Sequence, residues 1–213
     1  MKGCFIVFEG LDGSGKTTQA QRLFRYFEKR GREVIAVEEP GGTPFGERIR
    51  AILLDERSSL EPLTELLLYQ ASRHELTRRV IRPALERGAM VICQRYGYSS
   101  LAYQGYGRGL PLEWVAALTE RATEGLTPSV AFFLDVPVEE GLKRVKRERQ
   151  PDRMESQGLE FLRRVEQGYQ ELAAHHPEMV RLDGTKGPEH LFEDILRALE
   201  QTKGGQSGGV YLH

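Results

Sequence analysis

Residues 10–17 read GLDGSGKT and satisfy the spacing G-x-x-x-x-G-K-[ST]. The segment ahead of them, KGCFIVFEG, is short, nearly all apolar and closed by a glycine, the pattern of a strand buried on both faces. The segment behind them, from Lys16 to about Arg30, sets Leu23, Phe24 and Phe27 on one helical face and stops at Gly31. Strand, glycine-rich turn and helix in that order constrain the fold strongly, because such a turn works only where a strand end faces a helix start. Gly10, Gly13 and Gly15 let the backbone turn its N–H groups inward around a polyphosphate, and Leu11, Asp12 and Ser14 complete the cradle. The helix adds its positive end. Lys16 can reach the β- and γ-phosphates, and Thr17 can offer its hydroxyl to Mg²⁺. The loop points to a nucleoside triphosphate with magnesium. It does not say what receives the phosphate: a motor, a GTPase switch, a small-molecule kinase or a ligase can all carry it.

Four more apolar runs read as strands, at 33–38, 89–93, 130–136 and 179–184. Between them lie segments with helical spacing, over 47–56, 63–88, 111–125, 137–150, 158–176 and 188–202. Pro83 is expected to kink or end the long second one, and Pro111 sits in the first turn of the third. Strands alternating with helices imply an α/β fold: a five-stranded, mainly parallel sheet with helices on both faces, of P-loop NTPase type. Ligands of such sheets bind beyond the carboxyl ends of the strands. Residues 1–203 read as a single domain, and the tail KGGQSGGVYLH is glycine-rich and reads as disordered from 204 on.

Charge and composition remove other classes. Thirty Lys and Arg against 31 Asp and Glu give a net charge of −1, which lacks the basic excess of a nucleic-acid binder. No apolar run approaches the roughly 18 residues of a membrane helix, and no signal peptide precedes the first strand. Cys4 and Cys93 fall in strands and read as buried hydrophobes. A cytoplasmic location is the expectation.

The stretch after the third strand, QRYGYSSLAYQG, puts Arg95 at a strand end among hydroxyls and amides. Cations are plentiful elsewhere: Arg73, Arg144, Lys146, Arg147, Arg149 and Arg153. A hydrolase needs one arginine finger, whereas two phosphorylated nucleotides meeting head-on need several cations. The basic run is read as a small mobile lid, about 143–156, that closes over ATP. Asp135, ending AFFLD, is the candidate for a second metal-side carboxylate but can equally cap the helix that follows.

Taken together, FEGLDGSGKTTQ, EPGGT, LLLYQASR, QRYGYSSLAYQG, FLDV with GLKR, and DRME resemble the bacterial thymidylate kinase family, in order and with matching gaps from residue 3 to about 200. The resemblance implies ATP + dTMP → ADP + dTDP, with ATP and dTMP as partners, Mg²⁺ as cofactor and a homodimer, for which the helix around Leu66–Leu68 offers a face. By the same resemblance, Asp12 addresses the acceptor sugar and metal region, and Tyr69 stacks on thymine while Arg73, one turn on, bonds its O4. Arg95 holds the acceptor phosphate, Ser100 and Gln104 meet the base edge, and Tyr103 crowds the sugar 2′ position. Arg153 stabilises the transferring phosphoryl group from the lid. Arg149 and Arg144 assist on the ATP side, and Glu39 is placed with the acceptor contacts. The chain departs from the family pattern twice, with Gln94 where an Asp is usual and Glu38 where an Arg is usual. Those departures leave standing the reading of a catalytically weak dTMP-binding regulator; within enzymes, a kinase for another nucleoside monophosphate is the alternative.

Overall fold

The computed structural model describes residues 3–148, 150 and 152–201. Five strands form one sheet in the order β2-β3-β1-β4-β5: β1 (Cys4–Glu9), β2 (Val34–Glu38), β3 (Met90–Gln94), β4 (Val130–Asp135) and β5 (Met179–Asp183). Every pairing is parallel, so the sheet is fully rather than mainly parallel. The central strand shows why it can be. Phe5 and Val7 face one apolar layer, while Ile6 and Phe8 face the other. A strand with both faces covered needs apolar residues at every position, and that is the run read in the sequence.

Helices α1 (Lys16–Glu28) and α9 (Pro188–Gln201) cover one face, where Leu23, Phe27, Leu191 and Ile195 pack on Ile6, Ile92 and Phe132. The other face carries α3 (Pro62–Leu76), α4 (Arg82–Glu86), α5 (Gly97–Ser100) and α8 (Leu159–His175). There Leu76, Ala84, Ala102, Val165 and Tyr169 pack on Phe5, Val7, Val91 and Phe133. Helices α2 (Pro44–Leu54) and α6 (Leu112–Thr123) flank α3, and α7 (Val138–Glu148) follows β4. No helix of the described residues is long and apolar enough to cross a membrane.

Pro83 neither ends the helix nor stands in an ordinary one. The chain stays helical through a wide π-type turn, Thr77–Ile81, into α4. A wider turn accommodates a residue that has no N–H to give and whose ring crowds the carbonyl four positions back. A second wide turn, Leu101–Gly107, follows α5 and carries Tyr103 and Gln104. Arg149 and the tail from 204 lie outside the described residues. Cys4 and Cys93 are buried free thiols, as expected.

Candidate active site

The phosphate loop joins β1 to α1, with Gly15 at φ +94° as the residue before the helix. The loop also rests on α7, closely enough to fix residue types. A Cβ on Gly13 would lie 2.3 Å from the Gly141 carbonyl oxygen, and one on Gly141 would lie 2.7 Å from that of Asp12. This glycine contact brings Arg144, one turn on, to the loop, where Nη1 donates to Gly13 O at 3.2 Å and to Gly184 O at 3.1 Å. Asp135, at the end of β4, accepts from Arg181 Nε at 2.8 Å.

Lys16 is buried and folded back on its own loop, donating to Leu11 O at 2.7 Å and Gly10 O at 3.0 Å. Burial, reinforced by the Arg95 charge, lowers its pKa to about 7 despite Asp12 and Glu9. Thr17 Oγ1 donates to Gln94 Oε1 at 2.7 Å. Glu38 is the register partner of Gln94 on the neighbouring strand and pairs with Arg50 at 2.8 Å. A cavity of about 630 Å³ is lined by Asp12 to Thr17, Glu38, Glu39, Gln94, Arg95, Arg144 and the β5–α9 turn from Gly184 to Pro188.

A smaller cavity of about 90 Å³ lies beside it, lined by Tyr69, Ser99, Ser100, Tyr103, Gln104, Asp152 and Met154. The two share Asp12, Glu39, Arg50 and Arg95 as common wall. Arg95 sits at φ +65°, a region costly for a side chain of its size and commonest at functional sites. Glu9, fully buried at the end of β1, holds that conformation from behind: it accepts from Tyr96 N at 2.9 Å and Ser99 Oγ at 2.6 Å. So fixed, Arg95 donates to Asp12 Oδ1 at 2.7 Å and Gly10 O at 3.0 Å, with its guanidinium 5.0 Å over the Tyr103 ring.

Arg73 is placed behind the smaller cavity rather than in its lining. Its Nε donates to Glu39 Oε2 at 2.7 Å, Nη1 to Ser100 Oγ and Gln70 Oε1, and Nη2 to the Tyr96 carbonyl. Four of the five guanidinium protons are engaged in this way. Burial lifts the Glu39 carboxyl to about 7 although Arg73 pulls it down, and its Oε1 is buried with no hydrogen-bond partner. Burial also raises the Tyr69 hydroxyl.

Arg153 lines neither cavity. It is 5% exposed, its Nε donates to Leu53 O at 2.6 Å, and its Nη2 lies 2.8 Å from Glu65 Oε2 in an ion-pair contact without hydrogen-bond alignment. The structure thus gathers Asp12, Lys16, Thr17, Glu39, Tyr69, Arg95, Ser100, Tyr103, Gln104 and Arg144 around two joined cavities and leaves Arg153 outside both linings, held by Leu53 and Glu65.

A phosphate-loop cavity opening onto an aromatic and amide-lined one, with an arginine at the junction, suits two nucleotides placed end to end. Residues 8–195 match the family model described as thymidylate kinase. The chain belongs to the thymidylate kinase family. A thymidylate kinase of Deinococcus radiodurans is 47% identical over 201 residues, covering 94% of this chain and 98% of the relative. One of Kosmotoga olearia is 46% identical over 194 residues, covering 91% and 93%. The crystal structure of thymidylate kinase from Ehrlichia chaffeensis matches at a TM-score of 0.76 and 30% identity, over 93% of this chain and 99% of that one. In this thymidylate kinase family member several site residues escaped the sequence reading: Glu9, Arg50, Glu65, Ser99 and Tyr169. Only Glu9 carried a local signal, a carboxylate ending a wholly apolar strand.

Proposed function

We propose that the protein transfers the γ-phosphoryl group of ATP to the 5′-phosphate of dTMP, giving ADP and dTDP. The observation that carries this reading is the shared wall of the two cavities, where Asp12 and Arg95 meet. An acceptor phosphate at Arg95 faces the phosphate loop directly. The bond from the γ-phosphorus to its bridging oxygen breaks, and one forms to an acceptor phosphate oxygen. Little covalent chemistry is asked of the protein, so positioning and charge do the catalysis.

Each residue has a task. Lys16 leaves the Gly10 and Leu11 carbonyls for the β- and γ-phosphates. Arg144 neutralises from the α7 side. Tyr69 stacks on thymine, Ser100 and Gln104 meet its edge, and Tyr103 crowds the 2′ position. The wall near Thr17 offers hard oxygen donors, namely Thr17 Oγ1, Gln94 Oε1 and the Glu38 and Glu39 carboxylates, a set that suits Mg²⁺. Thr17, with Gln94 beside it, would hold the ion, whose role is to offset charge on the phosphate oxygens.

The acceptor cavity, at about 90 Å³, is well below the roughly 300–1,000 Å³ of small-molecule sites. A wall therefore moves on binding, and the segment bearing Asp152 and Met154 is the lid in this reading. Its motion would release Arg153 from Leu53 and Glu65 toward the transferring group. Two copies assemble through α2, α3 and α6, which expose Phe45, Ile52, Leu63, Leu67 and Trp114. Leu66 is core, so the face is formed by its neighbours. The test is ADP release with a panel of monophosphates. Turnover with dTMP well above that with dUMP, dCMP and AMP is expected. Equal or faster turnover with AMP would identify another monophosphate kinase, and dTMP binding without ADP formation would identify a regulator.

A further inference from the structure

Glu65, which holds Arg153, touches neither cavity itself, and it is fully buried (0% exposed) in the first turns of α3. It accepts from Gln104 Nε2 at 2.9 Å, from Arg108 Nε at 3.2 Å and from Arg108 Nη2 at 2.8 Å, with Arg153 Nη2 also 2.8 Å away. Burial by itself would raise this carboxyl, but the hydrogen bonds from Arg108 and Gln104 and the charges of Arg108 and Arg153 outweigh it and hold the group below its ordinary value. It is ionised at neutral pH. An ionised carboxylate only accepts.

That restricts Gln104. Its side-chain amide is nearly symmetric in shape but opposite in polarity at its two ends, and only the nitrogen end can face Glu65. The oxygen end is left over. Among the described residues Gln104 Oε1 accepts no hydrogen bond, and Gln104 lines the acceptor cavity together with Tyr69 and Ser100.

We propose that Glu65 is a positioning residue for base selectivity: it locks the polarity of Gln104, so that an acceptor oxygen is presented to the base. This rests on the dTMP reading above. Thymine and uracil carry N3–H, a donor that matches Gln104 Oε1. Cytosine carries a bare N3, so two acceptors would face each other, both desolvated and unpaired. Rejection of cytosine nucleotides is thus set one residue behind the contact.

Glu65→Gln tests this. An amide at 65 can face Gln104 with either end, so Gln104 can turn round and donate to a bare N3. Using kcat/KM for turnover, and KI for dCMP inhibition of dTMP turnover, the preference for dTMP over dCMP should fall by about tenfold or more. The preference for dTMP over dUMP should move less than about twofold, because those bases share the N3–H edge, and KM for ATP should likewise hold. In a Gln104→Ala background, Glu65→Gln should change neither preference further. An unchanged dTMP/dCMP preference overturns the proposal. A parallel collapse of both preferences, or a further drop in the Gln104→Ala background, also overturns it, as a structural role would produce those. If thermal unfolding shows Glu65→Gln to be misfolded, Glu65→Asp is read in the same way: it keeps the charge for the arginines and withdraws it from Gln104 by one methylene. A parent enzyme that turns over neither thymine nor uracil nucleotides would overturn the dTMP reading and this one with it. A parent that does, with preferences unaltered in the variants, overturns the Glu65 assignment alone.

Discussion

Lys16 is buried in the phosphate loop, where a ligand's charge would act on it directly. With a pKa lowered to about 7 by burial and by Arg95, it is largely neutral in the free protein above that pH. Bound polyphosphate favours the charged form, so ATP binding should take up a proton. Calorimetric titrations in two buffers of different ionisation enthalpy should show uptake approaching one proton near about pH 8 and little near about pH 6; equal uptake at both would contradict the assignment. The same shift has a stability consequence. The unfolded lysine, at 10.5, binds a proton that the folded one does not between about 7 and 10.5, so this group's contribution to stability rises with pH across that window. Lys16→Ala should cost several orders of magnitude in turnover. Gln94 is one of the two residues at which the chain departs from the family pattern, and its surroundings say what the departure costs. Its oxygen already receives the Thr17 hydroxyl, and the Glu38 and Glu39 carboxylates line the same cavity. Gln94→Asp should therefore change kcat by less than about tenfold at saturating magnesium, since a third carboxylate there adds repulsion as much as ligation. A gain of about tenfold or more would show that Gln94 is an uncompensated deficit.

At the scale of elements, legibility followed local physics. The five strands could be read within a residue or two because burial on both faces writes itself as an unbroken apolar run. Helix α1 and the phosphate loop were equally plain, since glycine positions and apolar spacing are local. The wide turn Leu101–Gly107 was not, because two tyrosines, a glutamine and two glycines have no period to recognise. What shapes it comes from α8, packed against it: Arg164 donates to the Gly107 carbonyl at 3.1 Å, and a Cβ on Gly107 would lie 2.7 Å from Phe161. Arg153 shows the same limit. DRME names an arginine, but its place is decided by Glu65, far away in sequence, and by the Leu53 carbonyl. If the lid carries it to the phosphates during turnover, Arg153→Ala should lower kcat by about tenfold or more with smaller changes in both KM values. Intact kcat with weakened dTMP binding would leave Arg153 as a support behind the acceptor cavity rather than a group that reaches the phosphates.

For the molecule as a whole, alternating strands and helices implied a parallel sheet but not its order. The arrangement β2-β3-β1-β4-β5 places β1 between strands that come later in the chain, and no single segment encodes that. The order is what sets the phosphate loop of β1 beside Arg95 at the end of β3. The exposed apolar face on α2, α3 and α6 belongs to this scale as well. Leu67, 48% exposed, is central to α3, and Leu67→Glu should convert a dimer to monomers in sedimentation velocity; a parent already monomeric at micromolar concentration would contradict the assembly. A single turnover with γ-labelled ATP and excess dTMP distinguishes transfer between two nucleotides from hydrolysis. Label should appear in dTDP in step with ADP formation, with inorganic phosphate at background. Label released as inorganic phosphate, with dTMP bound but unchanged, would contradict transfer.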